Sequence, residues 1–158
     1  ERFLDTELGP HVRRVYLFHM LAERPTELRD VYTIPAGRLA TATYDAMFGA
    51  TRSAMRKAMN IEPDAVERSG AKIIEALERI EGELGGGDYL VGGRFGIADL
   101  TAASLLFPVL RPAEYQYVYP PTSPGLEAFR EDLATLPVFA WLQGIWSRHR
   151  GESAEVPA

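Results

Sequence analysis

Residues Asp88 to Leu110 read DYLVGGRFGIADLTAASLLFPVL, a glycine-rich turn that runs straight into the start of a helix. Placing Gly96 at the N-cap puts Asp99 at the third helical position. There its carboxylate can accept a free backbone N–H and meet the positive end of the helix dipole. Phe95 and Leu100 bracket the turn at the positions of a hydrophobic staple, which fixes the angle at which the chain enters the helix. Glycine lacks the hydroxyl of a Ser or Thr cap, at a cost of only a few tenths of a kcal/mol. The helix is expected over Ile97 to Phe107, with Pro108 or Pro112 marking its exit.

Upstream, Pro63 to Leu84 carries the clearest periodicity in the chain. Val66, Gly70, Ile73, Ile74, Leu77, Ile80 and Leu84 form one stripe with charges opposite. Pro63 suits a first helical turn, where its missing donor costs nothing, and Gly85 to Gly87 end the helix by giving access to left-handed backbone. From Glu1 to about Arg24, Leu4, Leu8, Val12, Val15, Phe18 and Leu21 recur at three- or four-residue steps. Pro10 predicts a bend within this helix or a start just before it, and Pro25 supplies the stop. Leu39 to Met59 is a further amphipathic run, lowered in helix propensity by its threonines, Gly49 and Ser53. Downstream, Tyr115, Tyr117 and Tyr119 sit in an extended, aromatic loop that is expected to fold back on the helices. Pro124 to Ala134 and Pro137 to His149 then close the chain as two helices, and residues 152–158 read as a polar, frayed tail. With no alternating strand pattern and no solenoid repeat, the fold class is all-α: one domain over residues 1–151, built from about five to seven helices with no sheet.

Composition narrows the function classes. A chain of 158 residues, 46% of them hydrophobic, suffices for one core. A net charge of −5 with dispersed Lys and Arg offers no footprint for nucleic acid and no polybasic membrane patch. No stretch approaches the roughly 20 apolar residues of a bilayer span, so a cytoplasmic location is expected. The absence of cysteine excludes disulfides, thiolate metal sites and a cysteine nucleophile within the chain. His11 and His19 can share a helical face and His149 can approach in space, but no ligand spacing for a metal appears, and none is expected. No Gly-x-Ser-x-Gly elbow and no phosphate loop is present.

The Asp88 to Leu110 segment closely resembles the C-terminal helical domain of glutathione transferases, of bacterial type. That family's core helix opens with Ser or Thr, two residues, then Asp, after a "YLVG" turn. Tyr89, Leu90, Val91, Gly92, Phe95, Ala98 and Asp99 match, and Gly96 departs from it. The long opening helix, the Pro63 to Leu84 helix and the closing Trp141 to Arg150 segment fall in the family's order, while the Leu39 to Met59 helix resembles an insertion.

The resemblance implies a division of labour. In that family glutathione is held mainly by an N-terminal thioredoxin-like domain, which is absent from this chain. The helical domain supplies a wall for a hydrophobic electrophile, chiefly from its first helix and the helix bearing the capping box. The implied function is the electrophile-binding half of a transferase that conjugates glutathione to hydrophobic molecules only together with an upstream thioredoxin-like domain. Alone, the chain is expected to bind no cofactor and to be inactive. Glutathione is the cosubstrate of the longer protein, a small hydrophobic molecule the other partner, and a homodimer the expected state. The alternatives are a non-catalytic protein-interaction module of the same fold and a carrier of apolar ligands.

No catalytic residue is expected here. Candidates for the pocket wall are His11, Arg14, Tyr16 and Tyr44, polar or aromatic groups on long helices. Such residues are more often partly buried packing residues. Phe95, Gly96, Asp99 and Leu100 are assigned a structural role, since a capping position stabilises a carboxylate's charged form rather than readying it for proton transfer.

Overall fold

The computed structural model describes residues 3–28, 38–116 and 119–151, apart from the side chains of 38–42, 44 and 45. Among the described residues the regular elements are helical and no strand occurs. A π-helical turn (Leu4–Leu8) leads into α1 (Gly9–Glu23). It is followed by α2 (Arg38–Ala58), α3 (Pro63–Leu84), α4 (Ile97–Leu110), α5 (Pro124–Ala134) and α6 (Pro137–His149). Helix α1 is the central rod: it packs on α3, α4 and α5, while α6 closes the other side against α3, α4 and α5. Leu8, Met20 and Leu21 from the opening segment meet Ile73 and Leu77 of α3, Leu106 and Leu110 of α4, and Leu142 of α6 in one continuous buried core.

Two proline sites show how local chemistry and burial compete. At Pro10 the second of the two expectations holds: α1 starts just before it, at Gly9, after a wider π-helical turn. The Gly9 N–H donates to the Leu4 carbonyl, five residues back, and α1 proper then begins with proline in its first turn. The wider turn gives the ring room where it would crowd the preceding carbonyls. Of the two prolines expected to mark the exit of α4, Pro112 does so: the helix passes through Pro108, continues to Leu110 and ends at Arg111 in left-handed backbone, φ 49°. The proline cannot donate to the Ser104 carbonyl, yet carrying the helix one half-turn further buries Val109 and Leu110. Full burial of such side chains is worth about 1.5–3 kcal/mol each and outweighs one hydrogen bond.

Helix ends are fixed by specific partners. Helix α3 stops at Gly85, φ 55°, a conformation that costs glycine nothing. Helix α5 is capped twice: Ser123 Oγ accepts from the Leu126 N–H at 3.3 Å, and Glu23 Oε2, reaching over from the end of α1, accepts from the Gly125 N–H at 3.2 Å. His19 Nδ1 lies 3.1 Å from the other oxygen of Glu23. The approach is so close that a Cβ on Gly125 would stand 2.4 Å from His19 Nδ1 and 2.7 Å from Glu23 Oε1. The Gly125 N–H, followed by His19, holds the Glu23 carboxyl below the usual carboxylate range.

The aromatic loop after α4 folds back as expected where it is described. Tyr115 stacks on Phe107 at 5.1 Å and on Tyr119 at 4.8 Å, and Arg111 covers Tyr119 at 4.4 Å. Burial, followed by Tyr115, pushes the Tyr119 phenol well above its ordinary value. Tyr117 and the tail at 152–158 lie outside the described residues.

Candidate functional site

Gly9, Val12, Arg13, Tyr16 and Leu17 recur on α1 at steps of three and four, so they share one face. That face forms one wall of a half-open hollow of about 300 Å³. The facing wall is α4, through Ser104, Leu105, Phe107 and Pro108, and Met55 on α2 with Met59 just past its end complete it. The volume stands at the lower end of the roughly 300–1,000 Å³ usual for small-molecule sites, and the lining is mainly apolar, as such sites are. Two methionines give it an adaptable side, because an unbranched thioether repacks readily around different shapes.

Met59 owes its position to Arg14. The Arg14 Nε–H donates to the Met59 carbonyl at 3.0 Å, while a second guanidinium N–H donates to Ser69 Oγ on α3 at 2.8 Å. Ser69 is fully buried and gives its own proton to the Ala65 carbonyl at 2.8 Å. Its oxygen also lies 3.0 Å from His11 Nδ1, which stands 3.4 Å from the Arg14 guanidinium as well, so the three side chains form one cluster. Burial, followed by the adjacent Arg14, lowers the His11 pKa below its ordinary value.

Of the four candidate wall residues, Tyr16 lines the hollow. His11 and Arg14 turn instead toward α3, where their bonds hold the wall in place from behind. The Tyr44 side chain lies outside the described residues. Arg13, Met55, Met59, Leu105 and Phe107 were not singled out from the sequence. The signal for Arg13 was present, since it falls four residues after Gly9 and three before Tyr16 on the same stripe. Met55 and Met59, four residues apart, fall on the apolar side of the Leu39 to Met59 run, but that periodicity does not say which helices they meet.

The capping turn of α4 forms a second centre. Asp99 is fully buried. Its Oδ2 accepts from the Gly96 N–H and its Oδ1 from the Leu90 N–H, both at 2.8 Å, so one carboxylate pins both ends of the glycine-rich turn. The forward arm of a capping box is missing, because Gly96 has no side chain. Phe95 and Leu100 both line a smaller hollow of about 220 Å³ between α4 and α6, with Trp146 and His149. The Phe95 ring stacks on His149 at 3.9 Å, and Tyr89 Oη lies 3.1 Å from His149 Nε2. The three histidines thus stand apart, on Ser69, Glu23 and Tyr89 respectively. Among the described residues no group of three His, Cys, Asp or Glu side chains is placed to hold a metal ion, and no helix is long and apolar enough to cross a membrane.

Comparison with known proteins gives one match, to the family model "Glutathione S-transferase, C-terminal domain" over residues 63–144, just over half of the chain. Searches of curated proteins and of solved structures each return no match. The matched span runs from the first residue of α3 through the buried Asp99 turn of α4 and into α6, all within an all-helical bundle. The chain belongs to the glutathione S-transferase C-terminal domain family.

Proposed function

We propose that this chain is the electrophile-binding half of a glutathione transferase-like protein, active together with an upstream thioredoxin-like domain. The observation that carries the reading is the apolar hollow between α1 and α4, floored by Met55 and Met59. In this reading the upstream domain holds glutathione as its thiolate. The sulfur forms a bond to an electrophilic carbon of the ligand seated in the hollow, and the group displaced leaves with its electron pair. The contribution of the helical half is proximity: holding an apolar reactant beside the sulfur replaces a bimolecular encounter by an intramolecular one. A cytoplasmic homodimer, clearing hydrophobic electrophiles as a detoxification enzyme, belongs to the same reading.

Titrating glutathione calorimetrically into this chain alone and into the longer polypeptide that its gene encodes tests the proposal. Binding to the longer form only, with conjugation of a hydrophobic electrophile by that form, is the expected result. Binding to neither overturns it.

A second reading, a protein-interaction module, draws support from a different place. Val91, Ile97 and Leu100 are 68%, 63% and 52% exposed around the Asp99 turn, a concentration of apolar surface of the kind found at contact faces. Failure of glutathione to bind either form would favour it.

A further inference from the structure

We infer that Met55 and Met59 form a modification site, at which a peroxide converts the two thioethers to sulfoxides and so closes the hollow between α1, α2 and α4 to apolar ligands until the sulfoxides are reduced. The inference rests on the hollow being the ligand site and adds a regulation of it. The chain has four methionines and no cysteine, so no thiol competes for an oxidant. The four stand in three environments. Met20 is 0% exposed in the core, Met47 is 59% exposed and lies outside the lining of the hollow, and the half-buried Met55 and Met59 belong to that lining. The pair is therefore open to a small oxidant and set where a ligand would touch it.

In the reaction a sulfur lone pair attacks one oxygen of hydrogen peroxide and the O–O bond breaks. That oxygen stays on sulfur, its proton passes to the other oxygen, and water leaves; the sulfur gives up two electrons and the peroxide takes them. An apolar, weakly accepting side chain becomes a polar one. Arg13 and Tyr16 on the α1 wall offer the new oxygen N–H and O–H donors, which draws the oxidised side chains across the hollow. The wall is not free to make room by moving its backbone, because the Arg14 Nε–H holds the Met59 carbonyl at 3.0 Å. An apolar ligand then meets a polar oxygen to which it offers no hydrogen bond.

Treatment of the full chain with hydrogen peroxide tests this, read by peptide mapping for the gain of an oxygen atom and by titration with the apolar fluorophore N-phenyl-1-naphthylamine. Met47 should oxidise first, Met55 and Met59 next, and Met20 last. Affinity for the dye should hold while Met47 alone is oxidised and fall about tenfold as Met55 and Met59 follow. The two methionine sulfoxide reductases, one for each epimer, should restore it. Met47→Leu should still show the fall. In the double variant Met55→Leu, Met59→Leu, the affinity, whatever its starting value, should be the same before and after peroxide. Met55 and Met59 resisting oxidation as long as Met20, an affinity unmoved by their oxidation, or a fall that the reductases do not reverse or that the double variant shows in full, would overturn the inference and leave the hollow standing. An untreated chain that does not bind the dye would remove the hollow as a ligand site, and this inference with it.

Discussion

The Nε–H of Arg14 donates to the carbonyl of Met59 across 3.0 Å, so a side chain of the first helix holds the backbone just beyond the second. The same guanidinium is anchored to buried Ser69 at 2.8 Å, which ties α1, α2 and α3 at one point behind the hollow. Replacing Arg14 by Met keeps the length and removes both bonds. We expect a loss of about 1–3 kcal/mol in urea denaturation, together with weaker binding of any ligand in the hollow because Met59 is no longer held. Arg14→Lys should recover only part of either effect, since a single ammonium cannot reproduce the planar fork.

His11 makes that joint sensitive to pH. Its pKa is lowered by burial and by Arg14, so the folded state favours the neutral ring, with Glu7 acting in the opposite sense and Lys72 in the same sense. Between the lowered value and the ordinary 6.5 the unfolded chain binds more protons than the folded one. Stability from this group is therefore fully present above 6.5 and declines as pH falls through the window beneath it. Denaturant midpoints should fall more steeply for the natural chain than for His11→Gln across that window. Parallel curves would show that His11 does not titrate with folding.

Much of the fold was legible because the decisive interactions are local. Helices α3, α5 and α6 each open with a proline in the first turn and carry an unbroken apolar stripe, and their bounds follow from those features. The bond of Asp99 to Gly96 spans only three residues, so the spacing alone specified it. Its bond to Leu90, nine residues away, depends on the path of the turn and was not readable. The choice between Pro108 and Pro112 as the exit of α4 stayed open because burial of Val109 and Leu110, a tertiary quantity, decides for the later one. The hollow was least legible of all. His11, Arg13, Arg14 and Tyr16 lie within six residues, and a helical period does not reveal which of them faces α3 and which faces α4.

Completing the capping box should stabilise the domain. Gly96 has extended backbone, φ −145°, and a Cβ there would meet Asp99 Oδ2 at 3.7 Å, an ordinary contact. Gly96→Ser supplies the missing acceptor and should raise stability by a few tenths of a kcal/mol. Asp99→Asn, by contrast, turns an amide N–H₂ toward one of two backbone donors and should cost about 2–3 kcal/mol. Chemical denaturation of the two variants side by side checks both signs.

The joint between α1 and α5 leaves no room for a side chain. Gly125→Ala would drive a methyl group into His19 and Glu23, displacing the carboxylate that caps α5. We expect a destabilisation of about 1–3 kcal/mol. The Glu23 contribution itself should vanish as pH falls through the lowered carboxylate range, below 4.5, because its folded-state pKa is depressed. Acid titration of Glu23→Gln, in which this part of the transition is absent, separates it from the His11 effect at higher pH.

The central claim is that the hollow between α1, α2 and α4 is where an apolar ligand sits. Amide chemical-shift mapping during titration with N-phenyl-1-naphthylamine tests it most directly. Saturable shifts should be concentrated at Val12, Arg13, Tyr16, Met55, Met59, Leu105 and Phe107. Shifts centred instead on Phe95, Leu100, Trp146 and His149, or no saturable shifts at all, would contradict it.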